Sequence, residues 1–203
     1  MGRPRDAAID GAVMAAAREL LAEIGYDGVT MDATAARAGT SKAAIYRRFQ
    51  SKAELMFAAA VHGPDTGPPP DTGSLRDDLF TLATVIRSAM SSPAAREVAP
   101  RVIVDIDRSP DISRRLRDVF VAGEMDQTTT ILRRAVDRGE LARPPDAAAT
   151  HRLLAGALFF SVFVVDETPD DDQLGRIVDL ITAGLTNRTD RPTTGHRHEN
   201  HAG

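Results

Sequence analysis

The segment from residue 30 to residue 52, TMDATAARAGTSKAAIYRRFQSK, constrains the fold of this chain more than any other. It predicts two short helices joined by a tight turn, followed by the start of a third helix. Gly39 sits where the chain must leave the first helix, because glycine adopts the left-handed conformation without a clash at Cβ. Thr40 or Ser41 can cap the next helix by accepting a hydrogen bond from a free backbone N–H. This is the helix-turn-helix arrangement, whose second helix enters the major groove of DNA.

The second helix of this segment is predicted to have a buried side and a basic side. Ile45 and Phe49 are four residues apart and therefore face the same way, toward the core. Between residues 37 and 52 all charges are positive, with no Asp or Glu among them: Arg37, Lys42, Arg47, Arg48 and Lys52. The whole chain carries a net charge of -4, so a local basic surface indicates a polyanionic partner for that surface alone. The alternative is a buried helical corner whose charges are only solvated.

Length and composition narrow the class of protein. The 203 residues suffice for one large or two small domains, and the absence of cysteine excludes disulfides and thiolate chemistry. Met1 is followed by a short basic stretch and an amphipathic pattern, not by an apolar signal core, which predicts a cytoplasmic protein. The longest apolar run, residues 153–165, is shorter than the roughly 20 residues that a bilayer span needs, so no membrane association is expected.

Helical periodicity and capping signals divide the first part of the chain. The expected helices cover about residues 6–25, 31–38, 42–49 and 52–62. Gly25 ends the first of them, and Ser51 with Glu54 forms a capping box that opens the fourth. The stretch 63–73, GPDTGPPPDTG, contains three consecutive prolines and is predicted to be a loop.

The remainder of the chain also has helical periodicity. Helices are expected to begin at Ser74 and Asp146, and others to cover about residues 94–107, 109–138 and 171–186. A strand is arguable only at residues 102–106, VIVDI. The predicted fold is all-α with about nine helices. The predicted division is a helix-turn-helix DNA-binding domain at 1–62, a Pro/Gly loop at 63–73, a helical ligand-binding and dimerisation domain at 74–187 and a disordered tail at 188–203.

The first 60 or so residues resemble the DNA-binding domain of the tetracycline-repressor (TetR) family of bacterial transcriptional regulators. The resemblance is carried by AAARELLAEIGYDGVTM and by AARAGTSKAAIYRRFQSKAELM. Within the latter, IYRRFQSKAEL matches the family's tyrosine–x–x–phenylalanine motif followed by Ser-Lys. The resemblance implies an all-helical homodimer with about nine helices per chain and a C-terminal ligand domain that varies among members.

The resemblance also implies DNA contacts from the second helix of the motif, the recognition helix, and from its flanks. The residues assigned to base edges are Lys42, Ala43 and Ala44. Those assigned to phosphates or to the start of the recognition helix are Thr30, Thr40, Ser41, Tyr46 and Lys52. Either kind of contact is implied for Arg47 and Arg48. The chemistry is compatible, because Lys and Arg pair with guanine O6 and N7 and alanine methyls pack on thymine methyls.

The C-terminal part contains no motif that identifies a ligand. Six apolar residues are candidates to line a pocket, and they fit a plain core equally well: Leu82, Ile86, Ile103, Val104, Phe120 and Met125. The chain has only seven Phe, two Tyr and no Trp, so aliphatic contact is expected over stacking on a flat ring. A small, mainly apolar effector is therefore predicted.

The apolar run of residues 153–165 has two interpretations. It is either an interior helix of a monomer or half of a dimer interface, because a helix that is apolar all round must be covered. The resemblance places the last two helices in a four-helix dimer bundle, which favours the interface. The residues expected there are Leu153, Gly156, Ala157, Phe160, Leu174, Ile177, Val178 and Ile181.

Three functions are weighed against these features: a ligand-responsive repressor on a palindromic operator, a DNA-binding regulator without a ligand switch, and an enzyme. The histidines and carboxylates show no recognisable catalytic spacing, so neither an enzyme nor a cofactor is expected. His196, His198 and His201 could bind a metal, but histidines in a polar tail are more often solvated, and no metal site is expected. A repressor that binds double-stranded DNA as a homodimer is the favoured prediction.

Overall fold

A computed structural model of the chain describes residues 3–62, 71–108 and 122–189, together with positions 69 and 114. All regular secondary structure in these ranges is helical, which confirms the predicted all-α fold. The predicted loop at 63–73 and the predicted tail at 188–203 lie mostly outside the described residues. The predicted domain boundaries therefore stay predictions.

Four helices make up the N-terminal part. They are α1 (Arg3–Gly28), α2 (Met31–Arg37), α3 (Lys42–Tyr46) and α4 (Lys52–Phe57), which continues as a π-helical turn over Ala58–His62. The recognition helix α3 is shorter than predicted, although the Phe49 N–H still donates to the Ile45 carbonyl at 2.9 Å.

Five helices follow in the rest of the described chain. They are α5 (Leu75–Met90), α6 (Pro93–Arg108), α7 (Ala122–Asp137), α8 (Ala147–Phe159), which continues as a π-helical turn over Phe160–Val164, and α9 (Asp171–Thr189). The described ranges thus hold nine helices, as predicted. The arguable strand at 102–106 is helical, inside α6.

The capping signals behave as the sequence predicts. Ser74 Oγ accepts from the backbone N–H of Asp77, and Asp146 Oδ1 accepts from the first turn of α8. Ser51 Oγ accepts from the Glu54 N–H at 3.1 Å, while the Glu54 carboxylate accepts from the Gln50 N–H at 2.8 Å. These side chains satisfy backbone donors that the first turn of each helix leaves free.

Gly25 interrupts α1 near its end. Its backbone has φ 69° and ψ 170°, a conformation that residues with a side chain rarely adopt. A Cβ at this position would also lie 3.4 Å from the Glu97 carboxylate of α6. Residues 26–28 therefore leave the axis of α1 and run close to α6.

The apolar side chains form two clusters. The first joins α1 to α4 and includes Val98 and Val102 from α6. The second joins α5, α7, α8 and α9 around fully buried leucines: Leu79, Leu132, Leu158 and Leu174. Helix α6 thus contributes to the core of the N-terminal part, although it follows α5 in the chain.

Helix α8 has one buried and one exposed apolar side. Among the helices that the structure describes, only the stretch Ala147–Val164 is long and apolar enough to cross a bilayer, a criterion that core helices of soluble proteins also meet. This stretch is longer than the apolar run at 153–165, and a single such helix is weak evidence for a membrane span. Leu154 and Leu158 pack in the second cluster, whereas Phe160 is 58% exposed.

Candidate nucleic-acid interface

The turn between α2 and α3 has the geometry that the sequence predicts. Gly39 has φ 63°, the left-handed value expected at this turn. Ser41, not Thr40, caps the recognition helix, because its Oγ accepts from the Ala44 N–H at 3.1 Å. Thr30 caps α2 in the same way, with Oγ1 accepting from the Ala33 N–H at 3.1 Å. Both helix starts are therefore capped by side chains, Thr30 and Ser41, that are also among the predicted DNA contacts.

The buried side of α3 is broader than expected. Ile45 and Phe49 both lie in the first apolar cluster, which confirms that they face inward. Ala44 is also buried, at 7% exposure, so the expectation that it faces a base edge is wrong. Neighbouring residues on a helix are about 100° apart, and a broad buried side takes in both Ala44 and Ile45.

The remaining predicted contacts lie on the recognition helix and on the segments that flank it. Lys42, Ala43, Tyr46 and Arg47 are exposed, and so are Thr30 and Ser41. Thr40, Arg48 and Lys52 are partly buried. Apart from Ala44, none of the predicted DNA-contacting residues is buried.

Acidic residues from outside the motif neutralise much of this basic surface. Arg37 pairs with Glu23 at 2.7 Å and with Glu19 at 3.4 Å, both on α1. The ion pair lowers the pKa of Glu23, and the two acids raise that of Arg37. Arg48 pairs with Asp10, also on α1. The absence of acids within residues 37–52 therefore did not predict an uncompensated basic surface, because the fold supplies acids from earlier in the chain.

Lys42 and Arg47 differ in their surroundings. Lys42 Nζ donates to Asp32 Oδ2 at 2.7 Å, and this hydrogen bond to the carboxylate raises the pKa of Lys42. The side chain of Arg47 has neither a hydrogen bond nor an ion pair within the described part of the chain, and Arg47 is exposed. Its guanidinium is a free set of donors at the end of the recognition helix.

Tyr26 and Lys52 form a contact between the N-terminal part and α6. Lys52 Nζ lies 4.3 Å from the centroid of the Tyr26 ring and donates to the Asp27 carbonyl at 3.3 Å. The Arg101 guanidinium of α6 lies 5.4 Å from the same centroid. A cation over an aromatic ring is attracted by the ring's quadrupole. Burial lowers the pKa of Lys52.

Helix α6 also binds Tyr26 through two carboxylates. The Tyr26 N–H donates to Glu97 Oε1 at 2.6 Å, and its hydroxyl donates to Asp105 Oδ2 at 3.3 Å. Burial of the ring, followed by the charge and hydrogen bond of Asp105, raises the pKa of Tyr26 to about 12. Sequence patterns did not single out Tyr26, because its partners lie more than 70 residues away.

The residues predicted to line a ligand pocket have different surroundings, and the pocket itself stays a prediction. Leu82 and Ile86 are buried in the second cluster, as plain core. Ile103 and Val104 are 44% and 48% exposed on α6, Met125 is partly buried, and Phe120 lies outside the described residues. The two apolar residues on α5 are buried in the core, whereas the two on α6 are exposed. Apolar character alone therefore did not identify residues that line one cavity.

A different groove, of about 790 Å³, lies between the start of α8 and the end of α9. It is lined by Arg143, Pro144, Pro145, Asp146, Ala149, Thr150, Leu153, Leu180, Ile181, Gly184 and Leu185. Of these, Leu153 and Ile181 were predicted, but as interface residues.

The predicted dimer surface is only partly exposed. Leu153 and Phe160 are 61% and 58% exposed, Gly156 is exposed, and Ala157 and Ile177 are partly buried. Leu174, Val178 and Ile181 are buried in the second cluster of their own chain, so their assignment to the interface is wrong. Helix α9 needs that side for the monomer core. The apolar patch of α8 and α9 also includes Val164 and Val165, at the end of the predicted run 153–165, and Leu180, which was not predicted.

No three metal-binding side chains come together in the part of the chain that the structure describes. His196, His198 and His201 lie outside it. His151 is buried and its Nδ1 lies 3.3 Å from Thr128 Oγ1, which gives it a structural partner between α8 and α7.

Comparison with known proteins agrees with this architecture. A family model described as "Bacterial regulatory proteins, tetR family" matches residues 13–59, and one described as "Tetracyclin repressor-like, C-terminal domain" matches residues 69–181. The second match alone spans more than half of the chain. The chain belongs to the TetR family. It is accordingly a DNA-binding transcriptional regulator, and its family is not one of enzymes.

Relatives of this TetR-family chain include other regulators of similar length. It is 38% identical over 179 residues to an uncharacterized HTH-type transcriptional regulator of Mycobacterium bovis, covering 87% of this chain and 88% of that one. It is 33% identical over 171 residues to the DNA-binding transcriptional repressor TetR of Mycobacteroides abscessus, covering 83% and 88%. The crystal structure of the TetR family transcription regulator SCO0332 superposes with a TM-score of 0.72 at 24% identity, covering 87% and 98%.

The environment of Tyr26 is open to a direct test. A Tyr46→Phe variant leaves Tyr26 as the only tyrosine, since the sequence contains two. Its phenol absorbance should titrate with a midpoint of about 12, above the ordinary 10.0, because burial and Asp105 disfavour the anion. Because the pKa of Tyr26 is higher in the folded state, its contribution to folding stability is complete below pH 10.0. That contribution is lost as the pH rises through about 12. Asp105→Asn should lower the midpoint, and a folded Tyr46→Phe protein titrating at 10.0 would contradict this packing.

Proposed function

We propose that this regulator is a repressor that binds an inverted-repeat operator as a homodimer and leaves it when a small apolar effector binds. The observation that carries the DNA-binding site is the exposed side of α3. Lys42, Tyr46 and Arg47 stand out from a helix whose other side is buried in the first apolar cluster. A helix presented in this way fits the major groove of B-DNA.

Separate roles are proposed for the residues of this surface. Arg47 and Lys42 would pair with guanine O6 and N7, and the Ala43 methyl would pack on a thymine methyl. Arg48 would contact phosphate at the border of the surface, since its pairing with Asp10 draws it toward α1. The other proposed contacts to phosphates are Thr30, Thr40, Ser41, Tyr46 and Lys52. Ala44 is not among them, because it is buried.

Repression is proposed from a relative, and cytoplasmic location is proposed because the partner of this protein is DNA. A relative that is 33% identical over most of its length is named a DNA-binding transcriptional repressor. A repressor of this kind acts by occupying its operator, which needs no contact with other proteins. Its DNA is in the bacterial cytoplasm, and we place the protein there.

The apolar patch on α8 and α9 supports the proposed homodimer. Leu153, Phe160 and Val164 on one helix and Leu180 on the other are all more than half exposed. Exposed apolar side chains that gather on one face of a protein usually mark a surface that a partner covers. A second copy related by a two-fold axis would cover the patch with the same patch and would present two α3 helices to inverted half-sites.

Coupling of an effector to the DNA is proposed to run through α6 and Tyr26. Helix α6 shares the N-terminal core and holds Tyr26 through Glu97, Arg101 and Asp105. Tyr26 in turn contacts Lys52 at the start of α4. A shift of α6 would therefore move α4 and change the distance between the two recognition helices of a dimer. A ligand can drive that shift only if it binds the two states with different affinity.

A regulator without a ligand switch is the alternative. It is favoured by the packing of Leu82 and Ile86, which serve as ordinary core, and by the exposure of Ile103 and Val104. The groove between α8 and α9 shares Leu153 and Leu180 with the apolar patch, so a second copy could cover it instead of an effector.

Substitutions on α3 test the DNA-binding surface. Lys42→Ala and Arg47→Ala should each weaken binding to the operator, selected beforehand from a random duplex pool, by about 1–3 kcal/mol, because each removes a base contact. Fluorescence anisotropy at fixed salt measures the affinity. Arg176→Ala, an exposed arginine on α9, is the matched control and should have no effect. If both α3 variants bind like the unchanged protein, this helix is not the recognition helix.

Charge placed in the apolar patch tests the dimer. Phe160→Asp and Leu180→Asp should give monomer or aggregate in sedimentation and should abolish specific DNA binding, because a charge cannot be buried there unpaired. Val104→Asp makes the same change at an exposed apolar position outside the patch and should leave the dimer intact. Well-folded dimers of both patch variants would argue against this interface.

An effector screen separates the switch from the alternative. Apolar small molecules that raise the melting temperature would be titrated against the protein–operator complex. Since coupling is reciprocal, operator DNA should weaken effector binding by the same factor by which the effector weakens operator binding. Tyr26→Phe, which removes only the hydroxyl bonded to Asp105, should reduce that factor. Compounds that stabilise the protein but leave operator affinity unchanged would favour the regulator without a switch.

A further inference from the structure

Asp32 occupies a position that a DNA-binding surface would not be expected to give to an acid. It lies in the first turn of α2, two residues after Thr30, and its side chain is 69% exposed. Its Oδ2 accepts from Lys42 Nζ at 2.7 Å, across the turn from the recognition helix. The same Lys42 Nζ lies 6.0 Å from the centroid of the Tyr46 ring. The ion pair therefore rests on the surface that the proposed function assigns to DNA.

The other ion pairs of this region join their cations to acids of α1. Arg48 is drawn toward Asp10, and Arg37 is drawn toward Glu23, both on α1. Only the pair of Lys42 and Asp32 joins a residue proposed to read a base with an acid that remains exposed beside it. Arg47, which has no partner among the described residues, stays available to any duplex.

Two features make the pair of Lys42 and Asp32 exchangeable. An ion pair between exposed side chains contributes little to stability, because water screens it and two long side chains lose freedom. DNA offers Lys42 a stronger alternative only where base acceptors stand in the right place. On a duplex without those acceptors, the phosphates meet Lys42 already paired with Asp32, and the exposed carboxylate of Asp32 repels them.

We infer that Asp32 is a specificity-determining residue of the DNA-binding surface: it holds Lys42 in an ion pair that a matching base displaces and that a random duplex leaves intact. The inference rests on the proposed function, since it requires α3 to be the recognition helix. Asp32 thereby suppresses binding to random DNA more than binding to the operator. It acts through Lys42 and is a positioning residue with respect to the bases.

The test compares Asp32→Asn with the unchanged protein on operator and on random duplex of equal length, over a series of salt concentrations. Affinity for random duplex should rise by roughly 3- to 10-fold, and affinity for the operator by less, so that their ratio falls. Freed Lys42 should also add about one phosphate contact on random duplex, which makes the slope of log affinity against log salt steeper by about 0.9. A thermal melt checks that both proteins are folded.

Two controls separate this role from a simple change of charge. Asp179→Asn removes the same charge from a pair of equal length, since Asp179 accepts from Arg76 at 2.7 Å far along the chain. It should leave the ratio of operator to random affinity unchanged. In a Lys42→Gln background, Asp32→Asn should no longer change that ratio, because the lysine through which Asp32 acts is gone.

The possible outcomes are distinct. If Asp32→Asn raises both affinities by the same factor, or changes the ratio equally without Lys42, then Asp32 only repels DNA and the inference is overturned. If the ratio does not change at all, it is overturned as well. If the unchanged protein selects no sequence over random duplex, the proposed function fails first. A fall in the ratio that depends on Lys42 supports the inference.

Discussion

The burial of one side of α3 is the constraint on which the DNA-binding surface depends. A helix of five residues does not form alone, because so few hydrogen bonds cannot offset the cost of nucleation. It persists here because Ile45 and Phe49 enter the core made by α1, α2 and α4, and because Ser41 caps it. That packing also decides the orientation of the helix, so the exposure of Lys42 and Arg47 follows from where Ile45 is buried.

The same core extends beyond the N-terminal part. Val98 and Val102 of α6 are buried in it, and Glu97, Arg101 and Asp105 on that helix surround Tyr26. The hydrogen bonds from Tyr26 to two acids of α6 are partly buried and cross between the two halves of the chain, so α6 and the first core should move together. Among the described residues α6 contributes no buried side chain to the second cluster, and Arg96 joins it to the C-terminal part by pairing with Asp166 and donating to Thr168 Oγ1 at 2.9 Å.

Features set by neighbouring residues could be predicted from the sequence, and features set by distant partners could not. The glycine turn at Gly39, the cap by Ser41 and the inward pair of α3 depend on a few adjacent positions. The pairing of Arg48 with Asp10 and of Arg37 with Glu23 depends on how α1 crosses the motif, which no local pattern records. For α9, periodicity located the apolar residues but did not tell which of them the chain's own core would use.

The pairing of cations with acids has a consequence for a DNA-binding regulator. Contacts to phosphates bind every sequence, and a genome offers a great excess of sites that are not the operator. A surface of unpaired lysines and arginines would strengthen both kinds of binding together. Here three cations of the motif are paired within the chain, and the protein as a whole is acidic, with a net charge of -4. In the proposed function this pairing lowers the electrostatic attraction to random DNA, so occupancy of an operator would come from base contacts and from two recognition helices acting at once.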